Sequence, residues 1–200
     1  MNNTIDFCFD LISPASYLAY TQLELLAQDT DAEIVWRPVL VGAIHKATGN
    51  IAPVTVPAKA RYLAEDLMRC ADMFGVDFAM NPHFPFSSLQ LQRMATGLLR
   101  DDPEGFKFFL ATVFESIWVF GADLSDPEAL ATIVEAAGFE PEKLIALAEE
   151  QEVKDMLRDN TQWAIDRGAF GVPTFFVGPE MYWGQDRIEM VREALRVNRR

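Results

Sequence analysis

Ser13-Pro14-Ala15-Ser16 stands where an apolar run from Ile5 to Phe9 gives way to an amphipathic stretch, "YLAYTQLELLA". Two serines spaced this way at the mouth of a helix occupy the positions at which a dithiol redox protein carries Cys-x-x-Cys. Unpaired backbone N–H groups and the positive end of the helix macrodipole lower the pKa of a thiol held there. Serine has no redox chemistry, but the positive helix end remains. It can hold a thiolate brought in by a ligand, with the Ser13 hydroxyl as an added donor to the sulfur. Ser13 and Pro14 also read as a plain N-cap followed by proline at the first helical position. Ser16 falls inside the first turn, where a hydroxyl is expected to satisfy backbone. A serine nucleophile does not fit, because neither histidine lies in a hydrolase-like motif and no G-x-S-x-G elbow surrounds the serine.

The chain has 200 residues, half of them hydrophobic, enough for one packed domain or one domain with a large insertion. A net charge of −13 excludes nucleic acid as a partner, since phosphate binding depends on Lys and Arg clusters. No apolar run reaches about 18 residues, and Asp6 and Asp10 stand where a signal peptide would be basic, so no membrane segment and a cytoplasmic location are expected. Cys8 and Cys70 are isolated from each other and from any Cys/His cluster, so neither a structural disulfide nor a metal site is expected.

The elements that must position these residues follow from apolar period. "IDFCF" alternates and "EIVWRPVLV", residues 33 to 41, is β-branched, so both read as strands around a helix over 15 to 28. Residues 42 to 58 hold two glycines and scattered prolines and read as a long irregular loop. From Lys59 to about Arg167 the pattern is helical, with Ser88, Asp102-Pro103 and Asp126-Pro127 as starts and Gly75 and Gly138 as stops. Phe106, Phe108, Phe109 and Phe114 read as a core stripe. Strands over 174 to 177 and 181 to 183 and a helix from about Asp186 complete the chain. The order is β-α-β, helices, β-β-α. That is an α/β thioredoxin-like fold with an all-helical insertion between its halves, residues 1–58 and 168–200 forming one domain and 59–167 the other.

"FDLISPASYLAY", "GVPTFFV" and "WGQDRIE" together resemble the thioredoxin-fold family of the kappa-class glutathione transferases and the bacterial 2-hydroxychromene-2-carboxylate isomerases, relatives of the DsbA oxidoreductases. "NPHFPFSSLQLQR", residues 81 to 93, is similar to the isomerase branch. The resemblance covers Ile5 to about Leu195 and implies glutathione as cofactor, with Ser13 as the catalytic hydroxyl that donates to its sulfur. It implies that Asn50 and Lys59 reach the glycyl end of the tripeptide. It implies that Val172, before a cis Pro173, pairs strand-fashion with the cysteinyl part, and that Asp186 receives the γ-glutamyl ammonium. Gln185 stands where the eukaryotic kappa enzymes carry serine. Each of these positions also has a local reading, as turn, first-turn lysine or helix cap.

The isomerase branch implies a glutathione-dependent interconversion of 2-hydroxychromene-2-carboxylate-type hemiketals and open trans-o-hydroxybenzylidenepyruvate-type forms, in the degradation of fused aromatic compounds. A small aromatic substrate would lie against Phe84, Phe86 and Trp118. The family also implies a homodimer. Two other readings stay open: a kappa-type transferase conjugating electrophiles, and a thioredoxin-like binding protein without chemistry.

Overall fold

The structure, a computed structural model, describes residues 3–124 and 126–198, apart from the Asn198 side chain. Thr4–Phe9 (β1) and Glu33–Pro38 (β2) pair in parallel, from Thr4 opposite Glu33 to Phe9 opposite Pro38. Pro14–Thr30 (α1) links them. Thr174–Val177 (β3) runs antiparallel to β1, and Glu180–Trp183 (β4) antiparallel to β3, giving the sheet order β2-β1-β3-β4. Between the halves come Val41–Thr48 (α2), Pro57–Phe74 (α3), Leu89–Asp101 (α4), Pro103–Trp118 (α5), Pro127–Ala136 (α6), Pro141–Glu149 (α7) and Gln151–Asp166 (α8); Ile188–Asn198 (α9) follows β4. This is the thioredoxin-like order with a helical insertion that the sequence predicts.

The period of two in β1 and β3 decides what each face of the sheet buries. Ile5, Phe7, Phe9, Phe175 and Val177 face the larger core, which α1, α4 and α5 complete. Phe7 lies 5.4 Å from Phe9 and 5.3 Å from Phe175 between ring centroids, and Phe9 lies 6.2 Å from Phe114 of α5. On the opposite face Cys8, Val39 and Phe176 pack with Ile44 of α2 and Ala164 of α8. Trp163 seals that face, with the guanidinium groups of Arg37 and Arg167 lying 4.3 and 4.7 Å from its ring centre, and Arg37 also pairs with Asp6 at 2.9 Å.

Two expectations are corrected. Residues 42 to 58 are not an irregular loop, because they contain most of α2 and a single 3-10 turn at Pro53–Thr55. Glycines at both ends of so short a helix hide the spacing of Val41, Ile44 and Thr48; only Ile44 is fully buried, and Gly49, at φ 71°, stops the helix. Phe108 leaves the core stripe and is 69 % exposed, whereas Phe106, Phe109 and Phe114 have no exposed surface. At about 100° per residue, Phe108 falls roughly opposite the line through 106, 109 and 113. The caps behave as read: the Asp102 and Asp126 side chains accept from Gly105 N and Glu128 N, with proline following each. Among the described residues no helix is long and apolar enough to cross a membrane.

The helical block closes onto itself at Gly97 of α4. A methyl group there would stand 2.6 Å from Leu147 Cγ of α7, with both Leu147 methyls within 3.2 Å. Gly97→Ala is therefore expected to destabilise by about 1–3 kcal/mol by overpacking, although alanine is the better helix former. Urea unfolding checks this, and a gain in stability would show that Leu147 yields freely.

Candidate active site

Register places the sequence-selected residues at one end of the sheet. Phe9 ends β1 opposite Pro38 at the end of β2, and Cys8 faces Thr174, the first residue of β3, which in turn faces Trp183 at the end of β4. The segments running on from these ends are Asp10–Ser16, Val39–Asn50, Gly171–Pro173 and Gly184–Asp186. Ser13, Val172 and Pro173 therefore meet there by strand pairing alone. Gly184 N donates to the Pro173 carbonyl at 3.0 Å, which brings Gln185 and Asp186 to the same end.

Ser13 is the N-cap of α1, half-buried, with its Oγ accepting from Ser16 N at 3.1 Å. Its hydroxyl hydrogen has no acceptor among the described residues. Pro14 brings no N–H, Ser16 N is bound to Ser13 Oγ, and Tyr17 N donates to the Ser13 carbonyl at 3.1 Å. That leaves the Ala15 N–H as the unpaired donor of the first turn, next to the Ser13 hydroxyl. The expectation that the Ser16 hydroxyl serves backbone is corrected: Ser16 Oγ is buried and without a partner. The Val172–Pro173 bond is cis, as expected, and so is Phe84–Pro85. Neither the N–H nor the carbonyl of Val172, a residue 9 % exposed, finds a protein partner among the described residues, so both groups are uncommitted.

The other residues expected to contact glutathione have the following surroundings. Asn50 Nδ2 donates to the Phe170 carbonyl at 2.8 Å and ties the end of α2 to the segment before Pro173. Gln185 is buried, with its amide 3.6 Å from Cys70 Sγ of α3. The Asp186 carboxylate pairs with Arg187 at 2.7 Å, and Lys59, exposed in the first turn of α3, has no ion-pair partner among the described residues. Phe84 and Phe86 cover Trp118, at 5.9 and 6.2 Å between ring centres. Trp118 has no exposed surface and donates from Nε1 to the Leu11 carbonyl at 3.0 Å, so it supports the loop before Ser13 and reaches a substrate only through the two phenylalanines. The Cys8 thiol, buried in β1, is pushed up to about 12, first by burial and then by Asp6.

Beneath Ser13 lies a polar junction that periodicity did not reveal. Asp10, 1 % exposed, accepts from Ile12 N at 3.2 Å and Val41 N at 2.9 Å, and from the Ser88 side chain. Its carbonyl accepts from Ser13 N at 2.9 Å. Ser88 starts α4 as expected, yet its hydroxyl serves Asp10 and makes no cap bond. Gln92, one turn on and fully buried, donates from Nε2 to the carbonyls of Phe9 at 2.9 Å and Val39 at 2.7 Å. The one available signal was an acid immediately after an apolar strand and three residues before Ser13.

A family model described as a DSBA-like thioredoxin domain matches residues 4–196. A 2-hydroxychromene-2-carboxylate isomerase from Pseudomonas putida is 32 % identical over 195 residues, covering 96 % of this chain and 93 % of that protein. The glutathione S-transferase kappa 1 of Homo sapiens is 27 % identical over 205 residues, covering 96 % of this chain and 90 % of that protein. A solved structure of a 2-hydroxychromene-2-carboxylate isomerase superimposes with a TM-score of 0.82 at 28 % identity, covering 98 % of this chain and 96 % of that one.

Burial raises the Asp10 carboxyl above the usual carboxylate range, against the opposing hydrogen bonds from Ser88, Val41 and Ile12. The folded state thus binds this proton more tightly than the unfolded state. Its contribution is fully present below the unfolded value of about 3.9 and is lost as pH rises to the folded value. Asp10→Asn keeps the shape but replaces one accepting oxygen with a donor, at an expected cost of about 1–3 kcal/mol. That cost should shrink as pH rises above about 4, because only the wild type loses stability there. Urea unfolding of both proteins across this range tests it, and parallel stability curves would contradict it.

Proposed function

The chain belongs to the DSBA-like thioredoxin family, and from that premise we propose that it is a glutathione-dependent isomerase acting on 2-hydroxychromene-2-carboxylate-type substrates. The observation that carries this reading is the group of uncommitted polar groups at one end of the sheet: the Ser13 hydroxyl hydrogen, the Ala15 N–H and the Val172 backbone. Two donors at a helix N-terminus suit a sulfur anion, and an open N–H and carbonyl next to a cis-proline suit an extended peptide. This is a fit for the cysteinyl unit of glutathione. The identity to isomerases from Pseudomonas putida and other bacteria supports the choice of reaction.

When bound, glutathione would supply a nucleophilic thiolate for reversible covalent catalysis at a conjugated carbon of the substrate, and would not be consumed. The protein holds that sulfur ionised through Ser13 and the α1 N-terminus. Val172 aligns the cysteinyl backbone, Lys59 offers its free ammonium to a carboxylate, and Asp186 exchanges Arg187 for the γ-glutamyl ammonium. Asn50 and Gln185 serve the site as braces, one on Phe170 and the other on Cys70. Phe84 and Phe86 present aromatic edges to the substrate ring.

The direct test is spectrophotometric conversion of 2-hydroxychromene-2-carboxylate with and without glutathione. Conversion that requires glutathione without consuming it is expected. Conjugation of a model electrophile without isomerisation would favour the kappa-type transferase, and no effect of glutathione on the melting temperature would favour an inert binding protein.

Ser13→Ala separates chemistry from binding. A hydrogen bond to a charged acceptor is worth about 1.5–3 kcal/mol, so the bound thiol's pKa should rise by roughly one to two units and the rate at neutral pH fall about tenfold to a hundredfold. Most of the glutathione affinity should remain. Ser16→Ala removes a buried hydroxyl that has no partner, so the thiol titration should not move and stability should hold or rise by up to about 1 kcal/mol. Thiolate absorbance followed against pH in both variants is the readout, and a shift in Ser16→Ala alone would reverse the two roles.

A further inference from the structure

A cleft of about 560 Å³ lies between α2, α4 and α8, and Ser13 is not among its lining residues. Its floor is aliphatic, formed by Leu40, Leu89, Leu157 and Ile165, with Ala43 and Ala47 along the α2 side and no aromatic residue. The Leu40 N–H at its edge is already bound to Thr161 Oγ1 at 3.1 Å, so the floor there offers a ligand no free backbone donor. None of Ser13, Val172, Pro173 or Asp186 borders it.

Charge around this cleft runs against the acidity of the molecule. In a chain of net charge −13, Lys46, Arg93, Lys154 and Arg158 all line it, and no acidic residue does. Three of these cations are held from outside the lining. Glu149 binds Arg93 at 3.1 Å and Lys154 at 2.5 Å, while Asp155 and Asp159 bind Arg158. Lys46 has no partner among the described residues. Four cations against three carboxylates leave one positive charge uncompensated beside an aliphatic trough.

We propose that this cleft is a second binding site, for an amphipathic monocarboxylate whose aliphatic body lies on Leu40, Leu89, Leu157 and Ile165 and whose head meets Lys46. The charge balance calls for a single negative charge, and the satisfied floor calls for an apolar body in place of a sugar or peptide. The site differs in kind from the aromatic surface at Phe84 and Phe86.

Sodium decanoate, kept below its micellar concentration, is the probe, titrated calorimetrically into the whole chain. One saturable site is expected. Lys46→Glu should weaken binding about tenfold by reversing the head-group charge, and Ala47→Trp should abolish it by filling the trough. Both positions are exposed, so the fold tolerates the changes, and thermal unfolding confirms that each variant is intact. Lys59→Ala should bind as wild type does, and acetate, which lacks the body, should not bind. Equal decanoate affinity in wild type and both cleft variants overturns the proposal. So does loss of binding in Lys59→Ala, which would put the carboxylate at the Ser13 end. Self-association abolished by Lys46→Glu with no decanoate binding also overturns it, making the cleft a contact between copies.

Discussion

Where β1 and β2 end, a single buried amide bridges the two segments, binding the Phe9 carbonyl, which Val39 N also binds at 3.0 Å, and the Val39 carbonyl, which has no other partner among the described residues. Gln92 Nε2 reaches both Phe9 and Val39, so α4 is fixed to the ends of β1 and β2 at once. An orphaned buried carbonyl costs on the order of 1–3 kcal/mol, so the amide stabilises chiefly by preventing that penalty at Val39, the Phe9 carbonyl being bound by Val39 N as well. Asp10 continues the junction to Ile12, Val41 and Ser88. Three helix starts, those of α1, α2 and α4, are thereby set against one buried carboxyl, whose oxygens accept from the donors they present. The position of Ser13 depends on this knot, since Ser13 N is bound to the Asp10 carbonyl.

The functional end of the sheet is a set of groups held ready by others that are fully engaged. Asn50 spends its amide on Phe170, and Trp118 spends its indole on Leu11. Among the described residues, what is left uncommitted includes the Ser13 hydroxyl hydrogen, one N–H at the mouth of α1 and the Val172 backbone, besides the buried Ser16 Oγ and the exposed Lys59 ammonium. Serines where a redox motif carries cysteines remove the dithiol chemistry, while the electrostatics that favour an anion stay with the helix.

Local grammar was legible in the sequence where it is decided locally. The alternation in β1, the apolar run of β3, the Asp-Pro starts of α5 and α6 and the glycine stop after α3 depend on neighbours within a turn, and they appear where the residues put them. The meeting of Ser13 and Val172 at one end of the sheet was legible only through the family resemblance, since local elements do not fix which strands pair. Side-chain partners were not. Gln92 to Phe9, Asn50 to Phe170 and Gln185 to Cys70 span 83, 120 and 115 residues, and no window of sequence contains both ends. Ser88 shows the difference most plainly, since it stands where a cap belongs and gives its hydroxyl to a distant acid instead. The α2 helix escaped notice because Gly42 and Gly49 weaken its pattern and one buried Ile44 is too little periodicity to read.

The close approach of α4 and α7 also constrains how this sequence can drift. Gly97 and the Leu147 side chain occupy one volume between them, so neither position is free to change size alone. Among diverging relatives a larger residue at 97 would have to arrive with, or after, a smaller one at 147. The pair would then exchange volume as a unit, leaving in aligned sequences a coupled signature that belongs to packing and carries no information about catalysis.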